Sequence, residues 1–143
     1  MVDTEHRRAR RASRTAARLT GIAGWSLIAI AALHTAVFVP QAHWGDWIDG
    51  SLRTATPDME SVAVFWALLG GFPVPGALAG LLMIRTARRQ ERVGLAVALM
   101  LFTWASGCIW LAGPSGFMFF YVTVGLLVAA AIADRRTTED ATF

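Results

Sequence analysis

His34 is the one ionisable side chain well inside a long apolar run of this 143-residue chain, and its ring can donate, accept or ligate. Even a neutral imidazole needs a polar partner in lipid, so an intramembrane histidine is a functional candidate by default. Its run ends five residues later at Val39, which places it about 7 Å below that boundary at roughly 1.5 Å per residue. The same count from the corresponding ends of the other apolar runs puts Trp66, Trp104, Cys108 and Tyr121 in one layer, roughly 6 to 12 Å deep. Glu60 and the loop residues His43, Asp46 and Asp49 stand above it. Such a set allows acid–base work by a His34/Glu60 pair on a lipid-soluble substrate. It equally allows a pocket for a hydrophobic small molecule lined by His34, Glu60, Trp66, Trp104 and Tyr121. The plain alternative gives His34 one interhelical hydrogen bond, to Tyr121, Thr103 or a backbone carbonyl freed by Pro73. The tryptophans then collect near the boundary as amphipathic rings do.

Other chemistries lack their residues. The single cysteine, Cys108, excludes an intrachain disulfide and a cysteine-built metal or iron–sulfur site, and it reads as a small packing residue. No HExxH, nucleophile elbow, P-loop or metal-spaced carboxylate set is present, and no metal or cofactor is expected. Haem ligation by two histidines would need a second one facing His34, and His43 lies in a connection. A small proton-coupled exporter would need an acid buried in the first run, where there is none.

The elements that would position this layer are four apolar runs, 19–39, 61–84, 93–112 and 115–133. A bilayer core about 30 Å thick takes roughly 20 helical residues to cross, so each run predicts a transmembrane helix. Hydrophobic residues make up 55% of the chain and charged ones 16%, too lipophilic for an ordinary soluble domain. The chain has no lysine, and twelve of its thirteen arginines lie in 1–18, 85–92 and 134–143, with Arg53 alone elsewhere. The positive-inside rule then puts both termini and the middle connection in the cytoplasm. The expected architecture is an all-α, integral four-helix membrane bundle, N-in and C-in, between Arg-rich tails at 1–18 and 134–143. The expected location is the inner (plasma) membrane, with multiple passes. Anionic lipid headgroups are the expected partners of the arginines, and nucleic acid is not, because no aromatic residues interleave with the clusters. The first run is too long for a signal-peptide core, and Pro40-Gln41-Ala42 makes a poor cleavage site, so it is expected to remain as a helix.

Helices in lipid approach closely where their residues are small. Gly76-Ala77-Leu78-Ala79-Gly80 is a GxxxG pattern in the second run, and Gly21, Gly24, Ala29, Ala32 and Ala36 offer small partners in the first. Gly76 and Gly80 are expected at a helix interface, within the chain or in a homodimer. Pro73 and Pro75 predict a kink near 70–75. The short connection 86–92 predicts that the second and third helices are antiparallel neighbours. Gly113 is expected to end the third helix and Ser115 to cap the fourth. In the long connection, Trp44, Trp47, Ile48 and Leu52 share a face and predict an amphipathic helix on the outer leaflet. Thr56-Pro57-Asp58 predicts the start of the second helix, with Thr56 as cap.

Ala32-Leu33-His34-Thr35, Phe65-Trp66 with Gly70-Gly71, and Pro114-Ser115-Gly116-Phe117 together resemble an uncharacterised family of small bacterial four-helix membrane proteins. That family belongs to the broader company of DoxX-like four-helix proteins. The resemblance spans about 19–133 and implies a fold and a membrane location, with no activity, cofactor or substrate attached. Three functions remain in view: an accessory membrane subunit serving a membrane partner protein, a binder of a hydrophobic small molecule, and a lipid-substrate enzyme. A pocket lined by His34, Trp66 and Tyr121 favours the last two. A layer packed tight by Phe and Leu side chains favours the first.

Overall fold

In the computed structural model the backbone is described for residues 2–54, 56–91, 93–113 and 115–139. Pro114 of the motif above and residues 140–143 of the expected C-terminal tail lie outside the described residues. The chain is all-helical, with no strand among the described residues: α1 (Val2–Phe38), α2 (Trp44–Ile48), α3 (Met59–Ala67), α4 (Pro73–Arg88), α5 (Leu95–Ala112) and α6 (Phe120–Glu139). Short 3₁₀ turns occupy Val39–Gln41, Ser51–Arg53 and Gly116–Phe119. Two segments, Arg14–Gln41 and Gly116–Arg135, are long and apolar enough to cross a membrane, and Leu95–Leu111 is a shorter apolar helix.

The tail expected at 1–18 is the first part of α1, whose 37 residues extend about 55 Å at roughly 1.5 Å each. α1 is the centre of the packing: α4 lies along one side of it, α6 along another, and α5 rests on α6. Its inward stripe runs Ala17, Thr20, Gly24, Leu27 and Ala31, at spacings of three and four. The small residues Ala29, Ala32 and Ala36 face outward instead, so of the five expected partners Gly21 and Gly24 are the ones turned toward α4. A Cβ built on Gly24 would stand 2.6 Å from the Gly80 carbonyl oxygen, and one on Gly80 would stand 2.6 Å from that of Gly24. The two antiparallel backbones therefore touch where both side chains are absent. Ala98 and Ala105, one heptad apart on α5, are fully buried against the same core with Leu127 of α6. Ser26 of α1 and Thr123 of α6 share a hydrogen bond of 2.8 Å, and Ser26 also donates to Ala23. α4 and α5 are not a closely packed pair, contrary to the expectation from their short connection. The turn ends α4 at Arg89 and passes through Gln90 at φ 57, and the helix that follows packs on α6.

The second run is broken rather than kinked. α3 ends at Ala67 and α4 begins at Pro73, so helix is lost over Leu68–Phe72. The prolines explain the position: Pro73 cannot donate to Leu69, Pro75 cannot donate to Gly71, and each ring crowds the carbonyl four residues back. Gly71 lies directly against the Trp66 carbonyl, a place no Cβ can occupy. The cap of α3 is Asp58, which accepts a 2.8 Å bond from the Ser61 amide, so the helix starts two residues after the expected Thr56. Gly113 does end α5, at φ 79, and its N–H donates to Ile109. Ser115 precedes a 3₁₀ turn without a capping bond from its side chain.

Candidate functional site

His34 projects from α1 toward the broken second run. Its Nε2 lies 2.9 Å from the Ala67 carbonyl. A carbonyl can only accept, so the proton is on Nε2. The bond meets a specific need: in a continuous helix the Ala67 oxygen would be taken by the Gly71 N–H, and the break removes that donor. His34 replaces it from another helix. Of the three partners expected for a packing histidine, the structure supplies a backbone carbonyl, that of Ala67 at the start of the break and not the Leu69 carbonyl that Pro73 itself leaves without a donor, and Tyr121 bonds Ser106 instead.

Phe72, the last residue of the break, fills the space beside this bond. Its ring centroid is 6.3 Å from His34, 5.9 Å from Trp104 in a stacked arrangement and 4.8 Å edge-on from Phe120. One ring thereby touches α1, α5 and α6. Trp104 also meets Phe120 at 5.0 Å and Phe117 at 5.5 Å, both edge to face. Phe38 covers the other side of the imidazole at 4.7 Å. Gly76 has its place here: the Phe72 ring lies over it, on ground a Cβ would occupy. The two glycines of the GxxxG pattern therefore do different things. Gly80 admits the α1 backbone, and Gly76 seats an aromatic ring one turn away.

The other candidates lie outside this knot. Trp66 is 60% exposed, and its only ring neighbour among the described residues is Phe65. Tyr121 shares a 3.0 Å hydrogen bond with Ser106 and packs on Phe102, which ties α5 to α6 at the surface. Cys108 is half-buried and free. Glu60 is exposed in the first turn of α3, about 10 Å along the helix from Ala67 at roughly 1.5 Å per residue. The structure does not bring Glu60 to His34, and no acid–base pair is assembled.

The long connection carries its own anchor. Trp47 donates from Nε1 to the buried Ser61 hydroxyl at 2.7 Å and sets its ring edge-on to Phe65 at 5.7 Å. Helix is limited to the five residues of α2, because Gly50 takes φ 91 and redirects the chain before Leu52. Ile48 points away, 79% exposed, so the expected amphipathic face splits into an anchored tryptophan and an outward isoleucine.

Sequence reading missed Phe72 as the hub, the Ser26–Thr123 bond and the Trp47–Ser61 bond. Phe72 carried a signal, since a large ring between Gly70-Gly71 and Pro73 marks the side chain a break would release inward. The hydroxyl pair and the indole–hydroxyl bond join residues 97 and 14 positions apart, and nothing local marks them. No group of three or more His, Cys, Asp or Glu among the described residues is placed to hold a metal. Compared with protein-family models, curated proteins and solved structures, the chain has no match.

Proposed function

We propose that this chain is a four-span inner-membrane protein, N-in and C-in, that works as an accessory membrane subunit, packing in the bilayer beside a membrane partner protein. The observation that carries this reading is the state of the His34 layer. The imidazole proton is engaged by Ala67, Phe72 stands between His34 and Trp104, and Phe117 and Phe120 pack against Trp104. That is a packed layer of the kind expected of a structural subunit.

Exposed apolar side chains support the membrane placement. Trp25, Leu33, Leu78, Leu82, Met100 and Trp110 each show more than half of their surface on α1, α4 and α5. Soluble monomers rarely expose contiguous apolar surface on this scale. Within the two segments long enough to span, only 22% and 28% of the most apolar stretch is buried, unlike the core helix of a soluble protein. α3, α4 and the break between them form the second span, with its freed carbonyl satisfied inside the protein as lipid demands.

The test is native mass spectrometry with an absorption spectrum on protein extracted in mild detergent, wild type beside His34→Leu. Extraction of a second polypeptide with both proteins, and of no small molecule whose retention depends on His34, is the expected result. A small molecule carried by the wild type and lost from His34→Leu would overturn the accessory reading in favour of a ligand binder or a lipid enzyme. Reporter fusions after Gln41 and after Arg89 check the topology separately: activity outside for the first and inside for the second.

A further inference from the structure

The arginine end of the bundle is built differently from the histidine end. On α1, Arg14, Arg18, Gly21 and Trp25 follow at i, i+4, i+7 and i+11, one stripe about 16 Å long at roughly 1.5 Å per residue. α4 runs beside it and contributes Ile84, Ala87 and Arg88, and the turn adds Gln90. Between the two helices lies an open groove of about 370 Å³. Small residues make its floor, because a Cβ on Gly21 would already meet that of Ala87 at 3.6 Å. Its mouth is cationic, with Arg14, Arg18 and Arg88 all exposed, and its deep end is apolar, with Ile84 buried and Trp25 59% exposed. No acid lines it. The acid nearest in sequence, Glu91, is paired with Arg89 at 3.7 Å, and none of the three groove arginines makes an ion pair among the described residues.

We propose that this groove is a site for one anionic phospholipid of the cytoplasmic leaflet, with the headgroup phosphate between Arg18 and Arg88 and an acyl chain laid over Gly21 toward Trp25. This assignment rests on the membrane reading above. Guanidinium groups suit a phosphodiester because each offers parallel donors to its oxygens. Charge at the mouth and an apolar bed below match a phospholipid along its length, whereas free phosphate would use only the mouth. The volume is within the range of small-ligand sites, roughly 300 to 1,000 Å³. Basic pockets between transmembrane helices on the cytoplasmic side are a recurrent way of holding such headgroups.

Delipidated full-length protein in mild detergent is titrated with phosphatidylglycerol or phosphatidylcholine and read by native mass spectrometry. Wild type is expected to retain one phosphatidylglycerol and to prefer it to phosphatidylcholine. The Arg18→Gln/Arg88→Gln pair is expected to bind it about thirtyfold more weakly, from two basic contacts near the surface. Arg53→Gln, far from the groove, is expected to bind as wild type does, and circular dichroism verifies that each variant is folded. Trp25→Ala is expected to weaken phosphatidylglycerol while leaving any competition by inorganic phosphate unchanged. Equal retention of the two lipids overturns the proposal, as does an equal loss in Arg53→Gln. Inorganic phosphate at millimolar concentration displacing the lipid completely would reassign the mouth to a free anion. Because lipid binding is read in detergent, a wrong orientation would appear only in the reporter fusions, and the two failures are distinguishable.

Discussion

Replacing Gly24 or Gly80 by alanine tests the closest contact in the bundle. Each new Cβ would meet the opposite carbonyl oxygen at 2.6 Å, and on Gly80 it would also meet the Ile28 side chain at 2.7 Å. An unstrained carbon–oxygen approach is about 3.3 Å, so α1 and α4 must open by about 0.7 Å (3.3 less 2.6). Neither side can yield alone, since both obstructing oxygens belong to helix backbone. Overpacking of this kind costs about 1–3 kcal/mol, and the opened interface also loses a quarter to a half of its dispersion attraction where the gap forms. The same opening relieves both clashes. The double variant should therefore cost less than the sum of the singles, with a coupling of about 1 kcal/mol. Unfolding by sodium dodecyl sulfate in mixed micelles, followed by circular dichroism, measures all four proteins of the cycle. Gly125→Ala is the control, because nothing stands within 4 Å of a Cβ there and alanine inside α6 should be neutral or stabilising by up to about 1 kcal/mol. Singles as harmless as Gly125→Ala, or strictly additive costs, would refute the reciprocal contact.

Three further outcomes follow from the other end of the bundle. His34→Leu should leave the topology unchanged in reporter fusions but lower stability by about 1–3 kcal/mol in the same micelle assay, the cost of orphaning the Ala67 carbonyl; an unchanged midpoint would sink the bond. Phe72→Ala should be the most damaging single truncation, about 3 kcal/mol, and should quench the environment of Trp104 in near-ultraviolet dichroism. Trp47→Phe keeps the ring against Phe65 but loses the donor to Ser61. It should cost about 1 kcal/mol and open the 40–60 connection to protease, with no change at the arginine end.

Helical class, the C-terminal end of α5 and the clustering of arginines were legible because each depends on local composition or on a single residue type. Gly113 ends a helix wherever the next turn needs a positive φ, and nothing distant can change that. The face on which α1 packs was less legible. Gly21, Gly24, Ala29, Ala32 and Ala36 are equally small, but only a partner decides which are inward, and α4 selects the side with Gly21 and Gly24. Neighbour relations failed for a similar reason. A short link fixes where α5 starts, not which helix it rests on, and the match of Ala98 and Ala105 to Leu127 takes it to α6. The candidate residues of the layer do not all meet: Phe72 links His34 to Trp104, while Trp66 packs on Phe65 and Tyr121 bonds Ser106. A count from the ends of the runs gives a height along each helix, not which side chains meet, and Phe72, which was not counted, is what joins His34 to Trp104.

His34 and the paired prolines, separate curiosities in the sequence, meet at one break in the structure. A carbonyl kept from water without a donor costs about 1–3 kcal/mol, so a broken helix holds best where the protein supplies the bond itself. Pro73 and Pro75 make the break, and His34 supplies the missing donor. The break then repays its cost by releasing Phe72, which a continuous helix would hold in register with its neighbours, into contact with α1, α5 and α6 at once. Glycine is required on both sides of that ring: Gly71 because the chain turns against the Trp66 carbonyl, Gly76 because the ring lies over it. His34, Gly71, Phe72, Pro73 and Gly76 are thus a single device. Its consequence is an end packed by stacked and edge-on rings, in contrast to the arginine end, where small residues leave a groove between α1 and α4 with Trp25 the one ring in its lining.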